Sequence, residues 1–107
     1  MRLSPLDPLY YAMLATRSLS HTALAEDAEA ADWAERAARS PGAHVLIAMI
    51  AAAAHGLAGH EARGATWAAN VRERNPALTR ADFSRSFPMK SETMRRRVSE
   101  VLERFGF

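Results

Sequence analysis

One offset organises this chain. Trp33 and Trp67 are 34 residues apart, and so are His21 and His55. The chain holds only two tryptophans and four histidines, so chance is a poor account of both pairs. Ala28 with Ala62, Ala31 with Ala65 and Ala34 with Ala68 fall on the same offset, and Ala30 answers to Gly64, small against small. Pro41 and Pro76 close the two units 35 apart, so the second unit carries one extra residue. A unit of this length is one supersecondary element that cannot bury its apolar stripe alone. Stacked neighbours bury it together.

Helix start and stop signals divide each unit in two. Asp7 caps a helix that has Pro8 at its first turn and runs to about Ala25. Glu26 or Asp27 opens a second helix, which stops before Pro41-Gly42. A third runs from about Ala43 to Ala58 and ends at Gly59. A fourth begins near His60 and ends before Pro76, because Asn75 precedes a proline. Thr79 with Asp82 forms a capping box for a short helix to about Phe87. Ser91 caps a last helix to Phe105, ended by Gly106. No stretch alternates with period two, so no strand is expected. Two pairs fall short of the three usual in such arrays. The tail is therefore expected to cap the far end through Phe83, Phe87, Val98, Leu102 and Phe105.

Composition fits helices that approach closely. Of 107 residues, 23 are alanine, the best helix former and the smallest with a side chain. The length allows one small domain, 1–107, or a piece of a larger protein. The formal net charge of +2 does not by itself point to nucleic acid. With no cysteine there is no disulfide framework and no thiolate metal site, which fits a reducing, cytoplasmic setting. The longest apolar run, Val45 to Ala54, is too short for the ~20 residues a membrane span needs.

Period, small residues at fixed places and closing prolines resemble the tetratricopeptide repeat. In this resemblance Ala25 and Gly59 sit at the turn inside each pair. Ala30 and Gly64 open the second helix at its small-residue position, and Pro41 and Pro76 end the units. Ser18 and Ala52 hold the small position of the first helix. The family's first-helix tryptophan slot holds Leu14 and Ala48, its tyrosine slot His21 and His55, and its second-helix aromatic lies one place early, at Trp33 and Trp67. The stretch Ser4 to Pro8 and the tail from Asn75 are also similar to the C-terminal repeat regions of bacterial adenylate/guanylate cyclase-type and winged-helix regulatory proteins. The resemblance implies an all-α, right-handed superhelix with repeats at 8–41 and 43–76 and two capping helices at 79–107. It brings no cyclase residue and no winged helix to this chain.

The same resemblance implies that the first helix of each pair lines a concave face: Ala12, Ala15, Leu19 and Thr22, then Leu46, Met49, Ala53 and Gly56. No lysine or asparagine clamp for a terminal carboxylate stands there. An apolar face of this kind suits a helix, from upstream repeats, from the chain's own tail or from a second copy. Tyr10, Tyr11, Leu14 and Arg17, on the uncapped first helix, are expected to pair with upstream repeats or a symmetric mate. The expected partner-binding set is thus Tyr10, Tyr11, Leu14, Ala15, Arg17, Leu19, Leu46 and Met49.

Nothing in the chain reads as catalytic. There is no Cys, no GxSxG and no glycine-rich phosphate loop. Glu26-Asp27 sits at a helix start, where the dipole favours anions. His21 and His55 read as packed imidazoles hydrogen-bonded between helices, with a metal- or ligand-sensing pair as the alternative. Zinc needs three or four ligands, and His55 and His60 lack the i, i+4 spacing of HExxH. No metal and no cofactor are expected. Arg95-Arg96-Arg97 reads as the solvated face of the last helix, with Glu92 to Arg96 and Glu100 to Arg104 as i, i+4 pairs. Its alternative is a phosphate contact in a transcription regulator. The expected function is a protein-interaction module with a protein or peptide partner, or with itself as a homodimer.

Overall fold

The computed structural model describes residues 8–107. Among them are six helices and no strand: α1 (Pro8–Ala23), α2 (Asp27–Arg39), α3 (Val45–Leu57), α4 (Glu61–Arg74), α5 (Arg80–Ser86) and α6 (Glu92–Arg104). The chain is all-α. Asp7, the expected cap of α1, lies outside the described residues. The helix ends follow local chemistry. The Thr79 hydroxyl accepts from Asp82 N while the Asp82 carboxylate accepts from Thr79 N, a reciprocal capping box. Ser91 Oγ accepts from Met94 N at 3.2 Å. α3 starts two residues later than the alanines suggest, because the His44 side chain is its cap and accepts from Leu46 N.

The turns inside the two pairs match residue for residue on the 34-residue offset. Glu26 N donates to His21 O and His60 N to His55 O. Ala30 N donates to Glu26 O and Gly64 N to His60 O. Ala25 takes φ 59° and Gly59 takes φ 83° at the same place. This left-handed residue ends α1 at Ala23, short of Ala25, and for alanine it costs about 1 kcal/mol.

α1 packs on α2, α3 on α4, and α2 on α3, with α1 also touching α3. The core is alanine-rich because these axes lie close: Ala31, Ala34, Ala37, Ala51, Ala52 and Ala68 have no exposed surface. The small position of the first helix serves the same end. Ser18 is fully buried, and its hydroxyl donates to Ala30 O across the pair at 2.8 Å.

α6 lies against α3, and α5 rests on α6. Two glycines receive it. A Cβ on Gly56 would stand 2.5 Å from Val101 Cγ1 and 2.8 Å from Phe105 Cε2. A Cβ on Gly64 would stand 2.5 Å from Phe105 Cζ. The end of the chain is held by Arg72, which donates to Phe105 O and stacks on Phe107. Of the helices that suit the apolar face of α3, the tail is the one found there.

Three residues of the expected partner-binding set are core residues, as are Thr22, Ala53 and Gly56 of the expected concave face. Leu14, Ala15 and Met49 are buried at 2%, 3% and 0% exposure, the first against its own bundle and Met49 in a helix covered on several sides. Glu100 does not pair with Arg104. Arg104 reaches instead to Glu61 at the start of α4, 2.5 Å away, because α6 crosses near that helix end.

Candidate helix-docking face

Two first helices with one register meet different surroundings. α3 has a preceding pair packed against it, and the first pair has none among the described residues. The consequence is visible position by position. Ala43, Ile47, Ile50, Ala51 and Ala54 are buried, whereas Leu9, Met13, Thr16, Arg17 and Ser20, each 34 residues earlier, are exposed. Met13 is 47% exposed where Ile47 is 6%, and Leu9 is 57% exposed where Ala43 is 9%. Leu24, after the end of α1, is 70% exposed. These residues recur at helical spacing and so form one stripe along α1. Three large apolar side chains, Leu9, Met13 and Leu24, thus stand open on this side of the first pair, with Thr16, Arg17 and Ser20 between them.

Beside the stripe lies a cleft of about 440 Å³. Thr16, Leu19, Ser20 and Ala23 of α1 form one wall; Phe87 to Ser91 and Met94, where α5 gives way to α6, form the other. The expected partner-binding residues divide on this geometry. Tyr10, Tyr11 and Leu19 are half-buried and Arg17 is exposed on the first pair, whereas the half-buried Leu46 stands on α3. Leu9, Met13 and Leu24 were missed. Their signal was in the sequence: they hold the register positions of Ala43, Ile47 and Ala58.

The occupied junction between the pairs shows what such a face holds. Glu35, on α2, accepts from Trp67 Nε1 at 2.9 Å and from His55 Nε2 at 2.7 Å, and pairs with Arg39. Burial raises the Glu35 pKa, but the hydrogen bonds from Trp67 and His55 and the charge of Arg39 outweigh it and hold the carboxyl below the usual value. His55 Nδ1 meets His60 Nδ1 at 3.1 Å. With Nε2 donating to the carboxylate, a neutral His55 accepts there, so His60 donates. Both ring nitrogens of His55 are therefore engaged and the residue is 2% exposed, which leaves no atom for a substrate. Among the described residues no group of three or more His, Asp or Glu is placed to hold a metal ion.

The first pair carries the same elements without the carboxylate. His21 Nδ1 binds Glu26 Oε1 at 3.0 Å, as His55 Nδ1 binds His60, each within its own turn, but His21 makes no bond to another helix among the described residues, whereas His55 Nε2 reaches Glu35. Trp33 is half-buried, with the guanidinium of Arg17 4.3 Å and that of Arg36 4.6 Å from its ring centre. Among the described residues neither arginine pairs with a carboxylate, and the Trp33 indole N–H has no acceptor.

The basic last helix is differently disposed. Arg97 pairs with Asp27 at 2.6 Å, Arg96 lies 3.5 Å from Glu92, and Arg95 donates to the carbonyls of Met89 and Lys90. Among the described residues no helix is long and apolar enough to cross a membrane. No protein-family model matches the chain, and neither curated proteins nor solved structures gave a match.

Proposed function

We propose that this chain is a non-catalytic interaction module of tetratricopeptide type, whose first pair docks a helix of a protein partner. The observation that carries this reading is the contrast between α1 and α3. The same register is buried where a pair precedes it and open where none does. In this reading the chain forms the C-terminal part of a bacterial signalling or regulatory protein, as the resemblance of its two ends implies. The metal-sensing alternative loses support because both nitrogens of His55 are taken. The nucleic-acid alternative loses support because Arg95, Arg96 and Arg97 are each engaged within the fold.

The test is selection of displayed helical peptides on the full chain, followed by chemical-shift mapping. Selected peptides are expected to perturb α1 and Trp33 and to lose affinity about tenfold or more in Met13→Asp, a charge placed at an apolar contact. Peptides that map elsewhere, or that ignore Met13→Asp, contradict the reading. Light scattering over a concentration range distinguishes the homodimer: mass that doubles with concentration in the parent chain and not in Met13→Asp names a second copy as the occupant.

A further inference from the structure

The reading above names a face; the repeat register names the chemistry of what it takes. We infer that the docked helix carries a carboxylate seated on Trp33, Arg17 and Arg36, with a basic residue four positions later. The inference rests on the helix-docking reading and adds the charge pattern of the partner.

At the occupied junction, α2 lies on the second pair with Glu35 on Trp67 Nε1 and His55 Nε2. The residues 34 earlier are Trp33 and His21, on the open face. His21 is oriented like His55, through Nδ1 and the residue five positions on. With Nδ1 donating to Glu26, Nε2 donates only from the doubly protonated ring. Trp33 Nε1–H and the two guanidiniums carry the contact in either state of the ring. Arg17 stands at the position of Ala51, which is fully buried beneath the preceding pair. A helix seated there displaces the Arg17 guanidinium from the Trp33 ring, and a carboxylate is the partner that receives it.

The second charge follows from the neighbours. Arg39, four residues after Glu35, lines a cleft with Arg63, Thr66 and Trp67. On the open face Arg63 and Thr66 become Glu29 and Asp32, both exposed. Two acids at that end repel a second acid and favour a base. The matching helix therefore reads acid, three residues, base, as α2 does in Glu35 and Arg39. A head-to-tail second copy does not satisfy this. Its α4 offers Ala69 in place of the acid and Glu73 in place of the base, the wrong sign against Glu29 and Asp32. The α2 of a second copy has the pattern, but its Glu35 is already held within its own fold. The occupant is a helix of a different protein with small apolar residues around the acid.

The probe is an acetylated, amidated peptide of residues 26–40 carrying Trp33→Phe, titrated into the nitrogen-15-labelled full chain. The two indole N–H signals are read separately. The parent peptide is expected to move the Trp33 signal and leave the Trp67 signal in place. Glu35→Gln in the peptide is expected to weaken binding about tenfold, and the charge swap Glu35→Arg with Arg39→Glu to weaken it further. Trp33→Phe in the full chain, read from its backbone amide signals, is expected to lower affinity for the parent peptide and not for the charge-swapped peptide, which has no acceptor at that position. Equal binding of all three peptides at Trp33 overturns the charge inference and leaves the helix-docking reading standing. A Trp33 signal unmoved by the parent peptide at millimolar concentration overturns the inference, and the displayed-peptide selection then decides the reading by itself.

Discussion

Glu35→Ala is the most informative single change in the fold. The carboxylate is the one group that α2 gives to both helices of the second pair, through His55 on α3 and Trp67 on α4. Removing it leaves two donors without their acceptor, the buried His55 Nε2 and the part-buried Trp67 Nε1. An orphaned buried donor costs about 1–3 kcal/mol. Arg39 is 74% exposed at its side chain, so its ion pair adds at most about 0.5 kcal/mol. His55 bears the donor cost in full and Trp67, part-buried beside a cleft, only a fraction of it, so the total is about 2–4 kcal/mol, a large share of the ~5–15 kcal/mol that holds a domain of this size. Urea and thermal denaturation followed by circular dichroism measure it, with the melting temperature falling by roughly 10–20 °C. Glu35→Gln keeps an acceptor oxygen and is expected to lose less. The pH dependence has a definite sign. The folded pKa of Glu35 lies below its ordinary 4.5, so its contribution is present above that value and is lost as pH falls through the folded pKa. The stability gap between the parent chain and Glu35→Gln is therefore expected to close on acidification below about 4.5. A Glu35→Ala loss under about 0.5 kcal/mol, or a gap that does not move with pH, would refute this account of the junction.

Other positions give smaller, directed effects. Ala25→Gly relieves the left-handed turn and is expected to stabilise by about 0.5–1 kcal/mol, read from the urea midpoint. Gly56→Ala brings a methyl against Val101 and Phe105 and is expected to cost about 1–3 kcal/mol, with part recovered in the double change Gly56→Ala, Val101→Ala. Trp67→Phe removes the indole donor but keeps the ring. It is expected to cost about 1 kcal/mol in the parent chain and much less in Glu35→Ala, a coupling that a double-mutant cycle measures.

Much of the helix plan is legible in the sequence because its signals are local. Thr79 and Asp82 sit three apart and cap each other; Ser91 and Gly59 mark ends by their own chemistry. The register is legible for the same reason, since Trp33, Trp67, His21 and His55 repeat it. What is missed depends on contacts far apart in sequence. Glu35 reaches Trp67 across 32 residues, and its counterpart on the offset is Ala69, so no repeat signal announces it. Leu14 reads as surface only when α1 is viewed alone; at the position of the buried Ala48, it belongs inside. The seat of α6 is not encoded in α6. An amphipathic helix shows which side is apolar but not which neighbour takes it, and Gly56 and Gly64 become meaningful only once Phe105 lies over them.

The central claim is that the first pair offers the face that α3 and α4 offer to α2. A tandem chain tests it most directly: residues 8–41 duplicated ahead of residue 8, with the second copy's Pro8→Gly because that position answers to Gly42 at φ 74°, which keeps the 34-residue period and places a second Glu35 over Trp33. Urea denaturation of this chain and of the parent is the measurement. The account predicts one cooperative transition at a higher midpoint, with a steeper denaturant slope as Leu9 and Met13 become buried. Two separate transitions, or an unchanged midpoint, would contradict it.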